Sequence, residues 1–333
     1  MASYQTTRDQ DMNRKTQEKL NNLPEFISTY ITKNAMNLAS TTRYGYISNY
    51  TVFFEYINDN IDRFNDKKIS DITLEDFSTI DYNEAEDFIR WYSNGRSKSA
   101  INRMFSSMSA LYRFFIRQHK LTSDPFLASE RPKIDEVKMV SLKKEEELKL
   151  LDGIANGEGL SDRQKKYHER LVSRDFCIIM LILDTGIKVS ELVDLDVDDI
   201  DFKDKTITLP YGKNNIRYVT IRDEMADMLS SYLDDRKEKL DPLGSETALF
   251  LSRKGTRITP RSVQRLVKKY GKLILPDYKH ISPGSLRATF ALDLLDENGG
   301  DITQVSKALG HEHLSTTSIY INASTNRNSK ATQ

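Results

Sequence analysis

Three side chains toward the C-terminal end of the chain have the chemistry to act on a phosphate: Arg287, His311 and Tyr320. Arg287 stands at the start of an apolar helical pattern, His311 follows a Leu-Gly pair, and Tyr320 ends a Ser/Thr-rich segment. A guanidinium can clamp a phosphate, an imidazole can donate a hydrogen bond to it, and a tyrosine hydroxyl can attack it. The same spacing also fits a helical hairpin with a hydrogen-bonded histidine and a surface tyrosine, so residue types alone leave both interpretations open.

The segment 280–320 predicts two helices that position these side chains. Its first apolar run has helical spacing and is closed by an Asn-Gly-Gly turn at 298–300. A second run, with apolar residues at 302, 305 and 309, stops at Gly310, a residue type that commonly ends helices. Arg287 is therefore expected within the first helix and His311 directly after the second.

The composition limits the class of protein. The 333 residues suffice for two domains, each with a sizeable core. The 49 basic residues equal the 49 acidic ones, so any contact with nucleic acid must come from local segregation of charge. Cys177 is the single cysteine and lies in an apolar run, which indicates a buried thiol and excludes a disulfide within the chain.

Several features predict a cytoplasmic protein. The polar N-terminus carries acidic residues and does not resemble a signal peptide. No apolar run approaches the ~20 residues that a membrane span needs. The single cysteine fits a reducing compartment. We therefore expect no association with a membrane.

Breaks in the apolar pattern divide the chain into five predicted segments. Residues 1–20 are expected to form a flexible N-terminus, and 21–126 a helical domain with repeated apolar stripes. Residues 127–140 are predicted to be a linker, 141–322 a second domain and 323–333 a C-terminal tail.

The second domain is predicted to combine helices with a few short strands. Ser141 begins a helical pattern with acidic residues in its first turn, and the apolar run 174–183 suits a central buried helix. Between residues 197 and 221, short β-prone runs alternate with turns, and the last two runs form a predicted hairpin. The predicted fold class is mainly α with a small β-sheet, a helical N-terminal domain followed by an α+β domain.

A basic helix near the end of the first domain is a candidate DNA-binding surface. Between Arg90 and Asp124 the sequence holds no acidic residue. Apolar positions supply one buried face, which leaves basic and Ser-rich positions free to contact phosphates. A solvated basic face is an equally good interpretation. The candidate DNA-binding residues are Arg96, Lys98, Arg103, Arg113 and Arg117.

Four separated motifs in the second domain carry a family resemblance. They read LILDTGIKVSELVDLDVDDIDF, YGKNNIRYVTI, SLRATFALDLL and ALGHEHLSTTSIY, in that order. In order and spacing, residues 141–322 resemble the tyrosine recombinase (phage integrase) family, and residues 22–125 resemble its helical core-binding domain. The resemblance implies an enzyme that breaks and rejoins DNA, with a core-binding domain and an α+β catalytic domain.

Four of the family's six active-site positions carry the usual residue types. The resemblance implies that Tyr320 attacks a DNA phosphate, releases a 5′-hydroxyl and forms a 3′-phosphotyrosyl link. Arg287 would bind the phosphate with its planar fork, and His311 would donate a hydrogen bond to it. Lys213 in the hairpin would protonate the leaving 5′-oxygen, a step worth roughly two to four orders of magnitude.

Two positions depart from the family pattern. Lys188 stands where an arginine is usual and offers a point charge rather than a fork. Gly284 stands where a histidine is usual and has no side chain to accept the tyrosine proton. His280, Tyr278 and Lys279 lie close enough in sequence to substitute. An active but altered recombinase is one interpretation, and a DNA-binding protein of recombinase descent without cleavage activity is the alternative.

The resemblance also implies the partners. These are double-stranded DNA recombination sites and three further copies of the chain in a homotetramer, with an accessory excision factor left open. A role in a mobile element and a nucleoid-associated location are expected. No cofactor is expected. No metal site is expected either, because His311 and His313 are two residues apart and would face different sides of a helix. A helical regulator that binds DNA without chemistry is a further alternative.

Overall fold

The computed structural model describes residues 4–134, 139–211, 215–275 and 281–329. The chain divides into two compact units, one of Thr6–Glu136 and one that consists mainly of Val137–Gln333. Within the described ranges, no helix has the length and apolar character needed to cross a membrane.

The first unit is helical and has an aromatic core. Its helices bury one apolar face each, and Tyr50, Phe53, Phe77 and Phe88 are fully buried. The rings of Phe53 and Phe88 lie 5.0 Å apart at 86°, an edge-to-face contact that adds to the burial of apolar area. The helices are α1 (Tyr4–Leu20), α2 (Glu25–Lys33), α3 (Ser40–Asn60), α4 (Asp62–Asn65), α5 (Leu74–Ser78), α6 (Tyr82–Ser93) and α7 (Lys98–Ile116).

The predicted flexible N-terminus, residues 1–20, is a helix in the structure from Tyr4 onward. Its polar composition suggested an unpacked segment, but Thr16 and Leu20 are buried. Arg43 of α3 donates to the side chain of Asn13 at 2.7 Å. Within α1, Arg14 pairs with Asp11 and Glu18 at helical spacing, an arrangement that favours the helical conformation.

The second unit combines helices with a small antiparallel sheet. Its strands are β1 (Ile200–Asp201), β2 (Thr206–Tyr211) and β3 (Asn215–Thr220). They pair in the order β1-β2-β3, and Ile207 lies opposite Val219 in the β2–β3 hairpin. The helices are α8 (Lys144–Asn156), α9 (Asp162–Thr185), α10 (Val189–Asp194), α11 (Asp223–Lys239), α12 (Pro260–Ile274), α13 (Pro283–Glu297), α14 (Ile302–Leu309) and α15 (Ile319–Ser329).

The long helix α9 lies at the centre of the second unit's core, as the apolar run 174–183 predicted. Ile178, Ile179 and Ile182 are fully buried. Cys177 is also buried, and burial raises the pKa of its thiol to about 12, so the prediction of a buried thiol is confirmed. The first two residues of this run are charged rather than apolar. Arg174 forms a buried ion pair with the neighbouring Asp175, at 2.5 Å.

The predicted fold class, mainly α with a small β-sheet, is confirmed. The structure differs from the sequence prediction at the end of the chain, where α15 runs through the start of the predicted tail 323–333. The polar sequence suggested that the fold ends at 322. Ala323, however, packs against the buried cluster that contains Tyr320, and Ser324 donates to Asp296 of α13 at 2.9 Å.

Candidate active site

Arg287 lies in the second turn of α13 and is buried. Ser282 caps the helix by accepting from the backbone N–H of Ser285, and Pro283 occupies its first position. The Arg287 guanidinium donates to two backbone carbonyls, those of Gly186 and Leu309, the latter at 2.8 Å. Burial lowers the pKa of this guanidinium, and the charge of Glu191 opposes that effect. One side chain thus joins the ends of α9, α13 and α14.

Two glycines bring these helix ends together. Gly186 ends α9 and Gly310 ends α14, each in the left-handed conformation, with φ of 60° and 64°. A Cβ atom on Gly186 would lie 2.3 Å from Cδ1 of Phe290 and 2.8 Å from a methyl of Leu309. Position 186 therefore requires glycine for two reasons, the left-handed backbone conformation and the lack of space for a side chain. The Gly186 carbonyl also accepts a hydrogen bond from Arg287.

His311 directly follows the Gly310 turn, and both of its ring nitrogens are engaged. Nε2 lies 3.0 Å from an Arg287 nitrogen, and Nδ1 lies 2.8 Å from the hydroxyl of Thr317. A guanidinium has no acceptor, so Nε2 must accept and Nδ1 carries the proton that is donated to Thr317. Burial, with the charges of Arg287, Lys188 and Arg217, lowers the pKa of His311 to about 4. The imidazole is therefore neutral at pH 7.

Tyr320 lies at the start of α15 and is 6% exposed. It packs in a cluster with Ala288, Leu292 and Leu309. Burial raises the pKa of the Tyr320 hydroxyl, and a hydrogen bond with Arg287 lowers it in part. Because Arg287 can only donate, the tyrosine oxygen accepts and its own proton stays on the hydroxyl. The structure thus brings Arg287, His311 and Tyr320 together.

Lys188 immediately precedes α10 and belongs to the same cluster of charges. Its backbone N–H donates to the Glu191 carboxylate at 2.9 Å, and its Nζ lies 3.7 Å from the other carboxylate oxygen. The Lys188 side chain is 44% exposed, whereas that of Glu191 is 10% exposed. Lys188 also lies near enough to His311 for its charge to lower the pKa of the imidazole.

Arg217 of β3 is a residue of this cluster that sequence reasoning did not select. Its guanidinium donates to Glu191 at 3.0 Å and to the Ala308 carbonyl at 2.8 Å. It packs against Gly310, where an added Cβ would lie 2.6 Å from Arg217 Nε. A basic residue in a hairpin strand can face either side of the sheet, so the sequence signal was only its proximity to the turn that carries Lys213.

The positions of Lys213 and Gly284 are the remaining parts of the predicted site. Lys213, the predicted general acid, lies outside the described residues, as do His280, Tyr278 and Lys279. Gly284 lies in the first turn of α13 and is exposed. Among the described residues, a Cβ there would have Ser282 Oγ as its near neighbour, at an ordinary van der Waals distance of 3.5 Å, so space exists for a side chain.

The candidate DNA-binding residues of the first unit lie at the surface. Arg103 and Arg113 on α7 and Arg117 directly after it are exposed, and at 100° per residue they fall within about 80° of one another. Lys98 is exposed in the first turn of the same helix. Arg96 precedes α7, and its guanidinium lies 4.3 Å from the Tyr92 ring centroid. The structure therefore gives α7 one exposed basic face.

A second basic face, on α12, was missed by sequence reasoning. Four exposed cations spaced 4, 3 and 4 residues apart fall within about 60° of one another, and α12 contains no acidic residue. The opposite face is buried through Val263, Val267 and Tyr270. The signal was available in the sequence as an acid-free helical segment. The four residues are Arg261, Arg265, Lys268 and Lys272.

Comparison with known proteins defines the class. Residues 142–327 match the phage integrase family, and the chain belongs to that family. The chain is similar to the tyrosine recombinase XerC of Caldanaerobacter subterraneus subsp. tengcongensis, with 30% identity over 308 residues that cover 90% of this chain and 82% of the relative. It is also similar to XerD of Staphylococcus haemolyticus, with 29% identity over 69% of this chain and 74% of the relative.

Solved structures support the fold. The XerH site-specific recombinase, crystallised with a palindromic difH substrate after cleavage, has a TM-score of 0.69 and 20% identity, covering 90% of this chain and 81% of that one. The Tn1549 transposon integrase, in complex with circular intermediate DNA, has a TM-score of 0.64 and 20% identity, covering 89% and 94%. The likeness extends over most of each chain.

Proposed function

We propose that this protein is a site-specific DNA recombinase that cuts and rejoins DNA through a covalent 3′-phosphotyrosyl intermediate. The observation that carries this proposal is the contact of one buried guanidinium, Arg287, with both His311 and Tyr320. Lys188 and Arg217 surround the same histidine with further positive charge, against the carboxylate of Glu191. A surplus of cations beside a tyrosine hydroxyl suits the binding and attack of a phosphodiester.

The proposed reaction exchanges one phosphodiester for another. The Tyr320 oxygen attacks phosphorus and its proton passes to a water molecule, while the bond from phosphorus to the 5′-oxygen breaks. Lys213 supplies a proton to the leaving 5′-oxygen. Rejoining is the reverse attack by a 5′-hydroxyl, so the bond energy is retained and no ATP is consumed. Arg287 and Lys188 stabilise the charge that grows on the non-bridging oxygens.

Phosphate binding changes the role of His311 in this scheme. In the free protein its Nε2 accepts from Arg287, so it has no proton there to donate. A phosphate anion that engages Arg287 would favour the protonated imidazole and raise the pKa of His311 from about 4. His311 then becomes a donor to the phosphate, as the family resemblance implies.

The two exposed basic faces, on α7 and α12, are the proposed DNA-contacting surfaces. Each is a stripe of cations on a helix whose other face is buried, which suits neutralisation of phosphates along a duplex. These local concentrations of positive charge would allow a chain of zero formal net charge to bind DNA. We also predict that the protein acts as a homotetramer on paired sites, is cytoplasmic and has a role in a mobile element.

A nicked suicide substrate tests the proposal. Duplex sites are first selected from a randomised library by binding to the Tyr320→Phe protein, which cannot cleave. Sites nicked beside the scissile phosphate then lose a short fragment on cleavage and trap the covalent protein–DNA complex. We expect the native chain to form a denaturation-resistant complex and Tyr320→Phe to form none. DNA binding without a covalent complex would favour the alternative, a DNA-binding protein that has lost cleavage.

A further inference from the structure

Arg217 connects two chain segments that carry different residues of the candidate site. One of its nitrogens donates to Glu191, in the first turn of α10, and the other donates to Ala308, near the end of α14. Lys188 immediately precedes α10, and His311 immediately follows the Gly310 turn that ends α14. A single guanidinium on β3 thus connects the segment of Lys188 to the segment of His311.

The same carboxylate, Glu191, serves both cations. Its Oε2 accepts from Arg217 and from the Lys188 backbone, and its Oε1 lies 3.7 Å from Lys188 Nζ. The side chains of Arg217 and Glu191 are 11% and 10% exposed, so water screens their interaction weakly. A displacement of Arg217 would release the carboxylate that orients Lys188.

A buried donor without a partner marks Arg217 as more than a packing residue. Among the described residues, its Nε finds no hydrogen-bond partner and lies over Gly310. Leaving a buried donor unpaired destabilises the folded state, which a side chain selected only for stability would avoid. The position of the guanidinium is therefore set by its two bridging contacts.

We propose that Arg217 is a positioning residue that holds Lys188 and His311 side by side, so that both reach one DNA phosphate. This inference rests on the proposed recombinase function. It also explains how a lysine can serve at position 188, where family members usually have an arginine. A flexible ammonium lacks the geometric fork of arginine, and a fixed carboxylate beside it limits its freedom.

The test is a pair of double-mutant cycles. Arg217→Gln should slow formation of the covalent complex about 10²-fold at saturating DNA, because a displacement of roughly 1 Å in a catalytic group has an effect of this size. In a Lys188→Ala or a His311→Ala background, Arg217→Gln should slow covalent-complex formation less than about 10-fold. One of the two groups that Arg217 aligns is then already absent. Arg217→Lys should restore only part of the rate.

Arg236→Gln is the matched control. Arg236 is a buried arginine of the same unit that also joins backbone carbonyls, those of Glu246 and Ala248, to a carboxylate, that of Asp241. Arg236→Gln should lower thermal stability at least as much as Arg217→Gln does, but it should slow the covalent step much less. Equal slowing by both variants would overturn the proposal. Full additivity of Arg217→Gln with both Lys188→Ala and His311→Ala would also overturn it, since Arg217 would then act independently.

A readout that needs no cleavage separates this proposal from the proposed function. In the free protein, Arg217→Lys keeps the positive charge but cannot make both bridging contacts, so it should raise the pKa of His311 measured by NMR by loosening the turn that buries the ring. An unchanged His311 titration would contradict the positioning role. If the native chain forms no covalent complex but the titration moves, the recombinase function fails while the structural role of Arg217 stands.

Discussion

Arg287 donates, in the free protein, to the two side chains that the proposed reaction needs at the phosphate, His311 and Tyr320. A bound phosphate must therefore compete for guanidinium donors that are already in use. The competition is favourable because a charge-assisted, two-pronged contact with an anion is stronger than a contact with a neutral imidazole. In the free protein these three side chains are thus already in contact, while the proposed nucleophile, Tyr320, stays protonated.

The low pKa of His311 predicts a pH dependence of stability. The unfolded imidazole binds a proton near pH 6.5, whereas the folded one binds it near pH 4. Above pH 6.5 the stabilisation from keeping the ring neutral is complete, and it is lost as the pH falls toward 4, because the unfolded state takes up the proton first. In urea unfolding at several pH values, His311→Gln should show a shallower fall in the free energy of unfolding between pH 6.5 and 4. An unchanged slope would contradict the assigned environment.

Lys188→Arg tests the predicted departure from the family pattern at position 188. An arginine at position 188 keeps the charge and adds a planar fork, so covalent-complex formation should be unchanged or faster. Lys188→Gln, the control that removes the charge, should slow it about 10²-fold. Complete loss of the reaction in Lys188→Arg would show that the lysine has another role, such as a proton transfer that a guanidinium cannot perform.

At the scale of elements, the site depends on the ends of helices. Gly186→Ala should destabilise the protein by about 1–3 kcal/mol from backbone strain and more from the clash with Phe290 and Leu309. Gly299→Ala is a matched control, because Gly299 has a similar φ of 69° but nothing within 4 Å of an added Cβ. Gly186→Ala should also slow the covalent step, since the Gly186 carbonyl binds Arg287. Equal stability of the two variants in urea unfolding would contradict the close packing at Gly186.

Gly284→His tests the position at the start of α13. The site has room for a side chain and no positive φ, so the protein should fold. The control Gly284→Ala should be more stable than the native chain by about 0.4–1 kcal/mol, because a glycine in an ordinary helical conformation carries extra entropy in the unfolded state. If proton removal from Tyr320 limits the reaction, Gly284→His should accelerate the covalent step relative to Gly284→Ala. A slower step than in Gly284→Ala would show that the free space at Gly284 is itself needed.

The sequence predicted the elements around the site better than the contacts between them. The helix end at Gly310 was predicted because glycine after an apolar run commonly stops a helix, and its neighbours Leu309 and His311 are partners of Arg287. Arg217 was not visible, because alternation along a strand does not say which face packs against a distant helix end. The helix α1 was missed because its few buried residues, such as Leu20, are dispersed among polar ones.

At the scale of the whole molecule, zero formal charge conceals two segregated basic faces. Only local composition reveals them, and α12 was overlooked because its cations alternate with buried apolar residues. Arg265→Gln combined with Lys268→Gln should weaken non-covalent DNA binding by the Tyr320→Phe protein. The slope of log affinity against log salt should fall by about 0.9 for each lost phosphate contact.

Lys237→Gln is the control for that measurement. Lys237 is exposed on α11 beside Glu238, in a segment of mixed charge. Its loss should leave both the affinity and the salt dependence nearly unchanged. Equal effects of the α12 variant and of Lys237→Gln would show that α12 does not contact DNA and that only general charge matters.

The proposed function depends on a covalent bond between Tyr320 and a DNA 3′-phosphate. The most direct test is mass spectrometry of the complex trapped on a nicked substrate, after digestion of both protein and DNA. We expect one modified peptide, in which the nucleotide is attached at Tyr320 through its 3′-phosphate, and a released strand with a free 5′-hydroxyl. Attachment at another residue, a 5′-phosphate link, or no covalent adduct on DNA that the protein binds would contradict it.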